Sequence, residues 1–169
     1  MILGLNWKQN PATINQAKEL FLNMKQRFQN TNQEVILGVP SLFLSEIKSL
    51  SSNIGDNFKL ASQDISEYEN GAHTAEISPV ALKSFGINYA IVGHSETRKY
   101  WKLTNQTLNQ KLKACQQNGI TPVYCIGFSE DENSDGINYE ELKQQLVIGL
   151  DNLDLLSQKV IIAYEPVWA

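Results

Sequence analysis

The chain has 169 residues, of which 42% are apolar and 19% are charged, and its formal net charge is −4. This composition is typical of a globular domain with a core and excludes a disordered chain. Its basic residues form no cluster that could neutralise a row of phosphates, and no apolar run is long enough to span a membrane, so we expect neither nucleic acid nor a lipid bilayer as a partner.

Short apolar segments alternate with amphipathic helical patterns along the whole chain. A strand is predicted at Ile2–Leu5, and apolar residues then recur every three or four positions from Ile14 to Phe28, behind a capping box of Thr13 and Gln16. The later predicted elements are a strand at Glu34–Val39, a weaker helix at Ser41–Leu50, a strand at Phe58–Ser62, a short helix opened by Ser78 and Pro79 and closed by Gly86, a strand at Tyr89–Val92, a helix from Thr104 to Asn118, a strand at Thr121–Ile126, an acidic loop over 129–138, a helix from Tyr139 to Leu150 and a strand at Val160–Tyr164.

This strict alternation predicts parallel strands joined by right-handed crossovers. No composition shift or linker divides the chain, so we expect a single domain over residues 1–169. Two architectures fit the alternation, an open doubly wound sheet and a closed eight-stranded barrel. The first turn after a strand, NWKQNP, contains no glycine, which weakens the dinucleotide-binding interpretation of an open sheet.

The N-terminus and the cysteines bear on the cellular compartment. The first ten residues have neither the basic start nor the long apolar stretch of a secretory signal. Two cysteines, Cys115 and Cys125, are too few for a disulfide framework, and Cys125 lies in an apolar run that indicates a buried thiol. We therefore expect a reduced, cytoplasmic protein.

Polar residues follow the predicted strands, where a β/α barrel carries its active site. Lys8 follows the first strand, His94 the fourth and Glu165 the sixth. Such a trio suits proton abstraction beside a carbonyl: the carboxylate takes a proton from carbon, a neutral imidazole polarises the carbonyl, and the lysine stabilises the negative charge that develops. Further polar residues at these strand ends are Asn6, Asn10, Ser41, Gln63, Asp64, Ser95 and Glu96.

Each of the three residues also has a structural interpretation. Taken alone, His94 could serve as a loop hydrogen-bonding residue and Lys8 as a surface cation, whereas Glu165 directly after the run VIIAY is harder to assign to the surface. A serine hydrolase fits less well, because Ser95 adjoins His94 in sequence and no buried acid is evident to orient the ring. A zinc site is disfavoured, because there are two histidines and His73 lies in a different loop.

Three segments, NWKQN, YAIVGHSE and AYEPVWA, resemble the signature segments of the triosephosphate isomerase family in order and separation. ENGAHTAEIS and TPVYCIG resemble two further family segments, so the resemblance runs from Ile2 to Ala169. It implies a (βα)8 TIM barrel that is truncated after the sixth strand, because a barrel of this type needs about 250 residues. It also implies interconversion of dihydroxyacetone phosphate and glyceraldehyde 3-phosphate through an enediolate, without cofactor or metal, in glycolysis and gluconeogenesis.

The resemblance implies a role for each matching residue. Glu165 matches the base that moves a proton between two carbons, and His94 matches the electrophile, whose imidazole the following helix keeps neutral, as is known for this family. Lys8 and Asn6 match residues that contact the substrate. The family is usually a homodimer, in which Thr74, near the tip of the loop 63–76, would enter a pocket of the partner. Residues in supporting positions are Asn10, Ser95 and Glu96.

The chain also departs from the family pattern. Thr97 stands where a second arginine is common, and His73 and Ala75 stand where phenylalanine and glycine are common in the dimer loop. The family's phosphate-binding backbone and lid lie beyond the matched segments, so we expect the isolated 169-residue chain to be inactive. Two alternatives stay open: a non-catalytic partial domain that acts as a complementing or interaction partner, and a barrel isomerase for another sugar phosphate.

Overall fold

The computed structural model describes residues 2–28, 30–51, 55, 57–127 and 139–165. Within them lie six strands and six helices, and one helix follows each of the first five strands except the fourth, which is followed by two. In chain order these are β1 (Ile2–Asn6), α1 (Ile14–Phe28), β2 (Glu34–Val39), α2 (Ser41–Leu50), β3 (Phe58–Ser62), α3 (Pro79–Ser84), β4 (Tyr89–Val92), α4 (Ser95–Trp101), α5 (Asn105–Gln117), β5 (Thr121–Ile126), α6 (Tyr139–Gly149) and β6 (Ile161–Tyr164).

The six strands form one parallel sheet in the order β1-β2-β3-β4-β5-β6. Each strand pairs with the next one in sequence, so the sheet has no point at which the strand order reverses, as a doubly wound sheet must have. A cavity of about 420 Å³ is lined by residues of both β1 and β6, among them Gly4 and Ala163, which shows that the sheet curls and brings its two ends toward each other. The fold is therefore a partial β/α barrel, one of the two architectures that fit the alternation and the one that the family resemblance implies.

Burial follows the position of each strand in the sheet. The inner strand β2 is buried from Val35 to Val39, whereas the edge strands β1 and β6 are largely half-buried or exposed. Helices cover the outer face through buried residues such as Phe21 of α1 and Leu112 of α5. The described helices include none that is both long and apolar enough to cross a membrane.

The predicted element bounds agree closely with the structure except at one helix. The strands β2 to β5 have the predicted bounds, while β1 extends to Asn6 and β6 begins at Ile161. The helix α4 has no counterpart in the apolar pattern, because it buries none of its residues and so leaves no periodic signal. The predicted acidic loop over 129–138 lies outside the described residues.

Both cysteines are free and buried. Burial raises the pKa of Cys115 and of Cys125 to about 12 in each case. The prediction of a buried thiol at Cys125 is confirmed, and both thiols remain protonated at neutral pH.

Candidate active site

The turn after β4 places His94 at the start of α4. Gly93 adopts φ +74°, a left-handed conformation that favours glycine, and a Cβ there would lie 2.9 Å from Leu108. His94 then becomes the N-cap of α4, with a side chain that is only 8% exposed. The chain reversal therefore buries an imidazole at the carboxyl edge of the sheet.

Glu165 meets this imidazole from the end of β6. Its Oε1 lies 3.0 Å from Nε2 of His94, and the backbone N–H of Ser95 donates to its Oε2 at 3.4 Å. Burial raises the pKa of Glu165, but the hydrogen bond from His94 and the electrostatic attraction of that donor, the Ser95 N–H and the Lys8 cation outweigh it and lower the pKa below its ordinary value. Glu165 is therefore held as a carboxylate, the form that a base requires.

The proton on His94 can be assigned from its neighbours. Nδ1 of His94 accepts a hydrogen bond from the backbone N–H of Glu96 at 3.3 Å. The Oε2 atom of Glu96 also lies 3.5 Å from this Nδ1. These two contacts exclude each other, because the first needs a free lone pair on Nδ1 and the second needs a proton there. The backbone N–H is fixed by α4, whereas the carboxylate can rotate away, so we assign the neutral tautomer with its proton on Nε2, directed at Glu165.

Lys8 reaches the site from the turn after β1. Its backbone has φ 54°, and its N–H donates to Oδ1 of Asn6 at 2.9 Å. The Gln63 amide donates both to that Asn6 oxygen, at 3.0 Å, and to the Lys8 carbonyl, at 2.8 Å. The Lys8 ammonium lies 3.1 Å from Oε1 of Glu96. A left-handed lysine is uncommon, and Gln63 holds this one in place.

The structure brings most of the predicted residues together. A cavity of about 300 Å³ is lined by Asn6, Lys8, Gln63, His94 and Glu96, and His94 and Glu165 also line the cavity inside the curled sheet. A carboxylate, a neutral imidazole and an ammonium thus share one region, which suits the transfer of a proton from carbon beside a carbonyl group.

Two predicted residues lie at the margin of this region. Asn10 is exposed and donates its backbone N–H to the Trp7 carbonyl at 3.0 Å, which closes the turn that carries Lys8. Thr74 lies in the exposed stretch 68–76, where His73 stacks on Tyr68 with ring centroids 3.8 Å apart.

Arg98 fixes α4 against β5. Its guanidinium donates to the carbonyls of Gly93 and Cys125 at 2.8 and 3.0 Å, and to the side chain of Asn105 at 2.8 Å. A further bond of 3.3 Å reaches the Tyr124 hydroxyl. This role is structural, because every one of these bonds joins Arg98 to a residue of β5, of α5 or of the turn before His94.

Sequence reasoning did not assign a role to Gln63 or Gln145. Gln63 is the first residue after β3, and that position is the only signal it carries in the sequence. Gln145 is a buried amide within α6 that bonds to the backbone after β5. In the described part of the chain, no three His, Cys, Asp or Glu side chains are grouped so that they could hold a metal ion.

Comparison with known proteins agrees with this geometry. A family model described as triosephosphate isomerase matches residues 1–169. The triosephosphate isomerase of Clostridium tetani is 36% identical over 169 residues, which are 99% of this chain and 65% of the relative. That of Dehalococcoides mccartyi is 40% identical over 170 residues, which cover 100% of this chain and 65% of the relative.

The chain therefore spans about 65% of the length of these curated relatives. The match runs through every strand of the partial barrel and includes the segments that carry Lys8, His94 and Glu165. With the family model matched from the first residue to the last, this chain belongs to the triosephosphate isomerase family.

Proposed function

We propose that this chain, as one domain over residues 1–169, carries the catalytic side chains of an isomerase that interconverts dihydroxyacetone phosphate and glyceraldehyde 3-phosphate. The observation that carries the proposal is the contact of 3.0 Å between Nε2 of His94 and Oε1 of Glu165. It pairs a proton donor with a carboxylate at one edge of the sheet, and family membership supplies the substrate class.

In the proposed reaction, the substrate enters between His94 and Glu165 and replaces their direct contact. The Glu165 carboxylate takes a proton from the carbon next to the carbonyl, while Nε2–H of His94 donates to the carbonyl oxygen. The resulting enediol or enediolate receives the proton from Glu165 on the neighbouring carbon, and His94 recovers its proton from the other oxygen. Glu165 returns the proton that it takes, His94 recovers the proton that it gives, and no electrons leave the substrate, so no external oxidant or reductant is consumed.

The other residues support this transfer. Lys8 stabilises negative charge on the substrate, and Asn6 shapes the turn that places it, while Glu96 fixes the ammonium. The Ser95 N–H holds the second oxygen of Glu165, and Asn10 closes the Lys8 turn.

We also infer a homodimer, formed in the cytoplasm where glycolysis and gluconeogenesis take place. The cavity beside Lys8 is flanked by large exposed apolar side chains: Leu42 is 88% exposed and Trp101 is 62% exposed. Such a patch fits a protein contact, and Thr74 would enter it from the partner. The complete polypeptide, meaning this chain extended to the full length of its curated relatives, should sediment with twice its own chain mass. A monomer at micromolar concentration would contradict the inference.

The decisive experiment measures isomerase turnover of the complete polypeptide with Glu165→Asp. Shortening the side chain by one methylene withdraws the base by about 1 Å, and we expect kcat to fall about 100-fold or more. The free energy of unfolding should change little. Glu140→Asp, on the exposed face of α6, is the matched control and should leave turnover unchanged.

The 169-residue chain is assayed beside the complete polypeptide. We expect no detectable turnover from it, and substantial turnover would overturn that expectation. Unchanged turnover in Glu165→Asp would refute the proposed role of Glu165. Nothing in the described residues favours the non-catalytic alternative, and family membership favours a triose over another sugar phosphate.

A further inference from the structure

Gln145 makes an unusual pair of hydrogen bonds to one residue. Its Oε1 accepts the backbone N–H of Gly127 at 2.9 Å, and its Nε2 donates to the Gly127 carbonyl at 2.7 Å. The side chain is buried, with the residue only 3% exposed. One amide group thus satisfies both backbone polar groups of the residue that follows β5, where the strand ladder ends.

Gln145 is itself held from two sides. Its Nε2 also donates to Oε1 of Glu141, one turn earlier on α6, at 3.0 Å. Its backbone carbonyl accepts the Tyr124 hydroxyl of β5 at 2.7 Å. The position of the amide is therefore set by α6 and β5 together, and it cannot follow a displaced Gly127 without breaking one of these bonds.

The backbone at Gly127 supports the backbone of Glu165. A Cβ on Gly127 would overlap the Glu165 carbonyl oxygen and would lie 2.9 Å from its carbonyl carbon. On the other side of the same strand end, the Glu165 N–H donates to the Ile126 carbonyl at 2.8 Å. Glu165 therefore contacts Ile126, the last residue of β5, and Gly127, the residue after it, and Gly127 is fixed by Gln145.

From this chain of contacts we propose that Gln145 is a positioning residue for the Glu165 carboxylate and acts through the backbone of Gly127. The inference rests on the proposed function, because the placement of Glu165 affects the rate only if its carboxylate is a reacting group. A displacement of about 1 Å in a reacting group can cost about 100-fold in rate. Gln145 does not line either cavity beside His94, so it contacts no substrate there.

The test compares two neighbouring glutamines of α6 in the complete polypeptide. Gln145→Leu removes both bonds to Gly127, whereas Gln144→Leu changes an exposed residue next to it. We expect Gln145→Leu to lower kcat about 10- to 100-fold and to change KM less than about twofold. Gln144→Leu should leave both unchanged. If folded Gln145→Leu has the wild-type kcat, the inference is wrong.

A second variant covers the case in which Gln145→Leu does not fold. Gly127→Ala leaves the Gln145 amide in place and pushes directly on the Glu165 carbonyl. It should also lower kcat without a matching change in KM, and a wild-type kcat in this variant would equally overturn the inference. A purely structural role would instead lower the urea midpoint and leave the kcat of the folded enzyme intact.

A readout without turnover separates this inference from the proposed function. Carboxyl ¹³C NMR follows the titration of Glu165 in the complete wild-type polypeptide and in its Gln145→Leu and Gln144→Leu variants. In Gln145→Leu the carboxylate moves from His94 and Ser95, so the pKa of Glu165 should rise toward its ordinary value, and in Gln144→Leu it should not. If the complete wild-type polypeptide is inactive but the pKa of Glu165 still rises in Gln145→Leu, only the proposed function is refuted. If the pKa does not rise in Gln145→Leu, the positioning role is refuted.

Discussion

The Lys8 ammonium lies 3.1 Å from Oε1 of Glu96, which ties the cation after β1 to the first turn of α4. The backbone of the same lysine is held at φ 54° by the Gln63 amide. Lys8 is thus fixed at both ends, its backbone by the turn after β3 and its charge by the helix after β4. The contacts of Lys8 with Glu96 and with Gln63 lead to separate predictions.

Replacing Glu96 should affect function more than stability. The side chains of Lys8 and Glu96 are about half exposed, at 51% and 46%. Ion pairs this exposed contribute about 0–1 kcal/mol to the free energy of folding. In Glu96→Gln we expect a weaker hold on the Lys8 ammonium, a rise in KM for the triose phosphate of about 3- to 10-fold, corresponding to about 1 kcal/mol, and an almost unchanged urea midpoint. Steady-state kinetics and urea unfolding check both parts. A lower midpoint with an unaltered KM would show that the pair is only structural.

Replacing Gln63 should lower stability directly. Gln63→Leu removes two hydrogen bonds, to Asn6 and to the Lys8 carbonyl, and each is worth about 0.5–1.5 kcal/mol. We expect a loss of about 1–3 kcal/mol in the free energy of unfolding. Gln110→Leu, on an exposed position of α5, is the control and should cost far less. Equal losses in both variants would contradict a special role for Gln63.

The lowered pKa of Glu165 predicts a pH dependence of stability. Its folded pKa lies below its ordinary value of 4.5, so the stabilisation is complete above that value and is lost as pH falls through the folded pKa. Removing the His94 donor takes away the main contribution that lowers the pKa of Glu165, so burial is opposed only by the Ser95 N–H and the Lys8 cation. In His94→Leu the ¹³C titration of Glu165 should therefore move to higher pH. His73→Leu, in the exposed loop, should not move it, and a shift in both variants would count against a direct contact.

The buried pair of Asp64 and Lys111 predicts a strong dependence on both partners. Their charged atoms lie 2.7 Å apart, with side chains 14% and 4% exposed. Burial raises the pKa of Asp64, although Lys111 opposes this, and the Asp64 Oδ1 has no hydrogen-bond partner in the described part of the chain. Lys111→Met would leave the carboxylate buried and unpaired, which typically costs about 3–5 kcal/mol.

Replacing both members of this pair should cost much less. A buried ion pair exchanged for apolar residues is often neutral or stabilising by about 1–4 kcal/mol. We therefore expect Asp64→Leu/Lys111→Met to be more stable than Lys111→Met alone in urea unfolding. A double variant less stable than the single one would contradict the cost assigned to the unpaired buried carboxylate.

The residues at the strand ends of the site could be predicted from the sequence, but most of the hydrogen bonds that hold them in place could not. His94 and Glu165 could be predicted to meet, because parallel strands bring their carboxyl ends to one edge. Gln63 and Gln145 could not, because their bonds reach residues 57 and 18 positions away, and no local pattern encodes such contacts. The helix α4 was visible only through the family resemblance, since it buries none of its residues and leaves no apolar period.

The outer edges of β1 and β6 have a practical consequence for every measurement on the 169-residue chain. Among the described residues, each of these strands pairs on one side only. Their outward N–H and C=O groups are a template for another strand, and Ile162 and Tyr164 of β6 are exposed beside them. Two copies can satisfy these groups by joining edge to edge, and the tendency rises with concentration. Titrations of Glu165 in this chain should therefore be recorded over a dilution series, in which a constant pKa identifies the monomer.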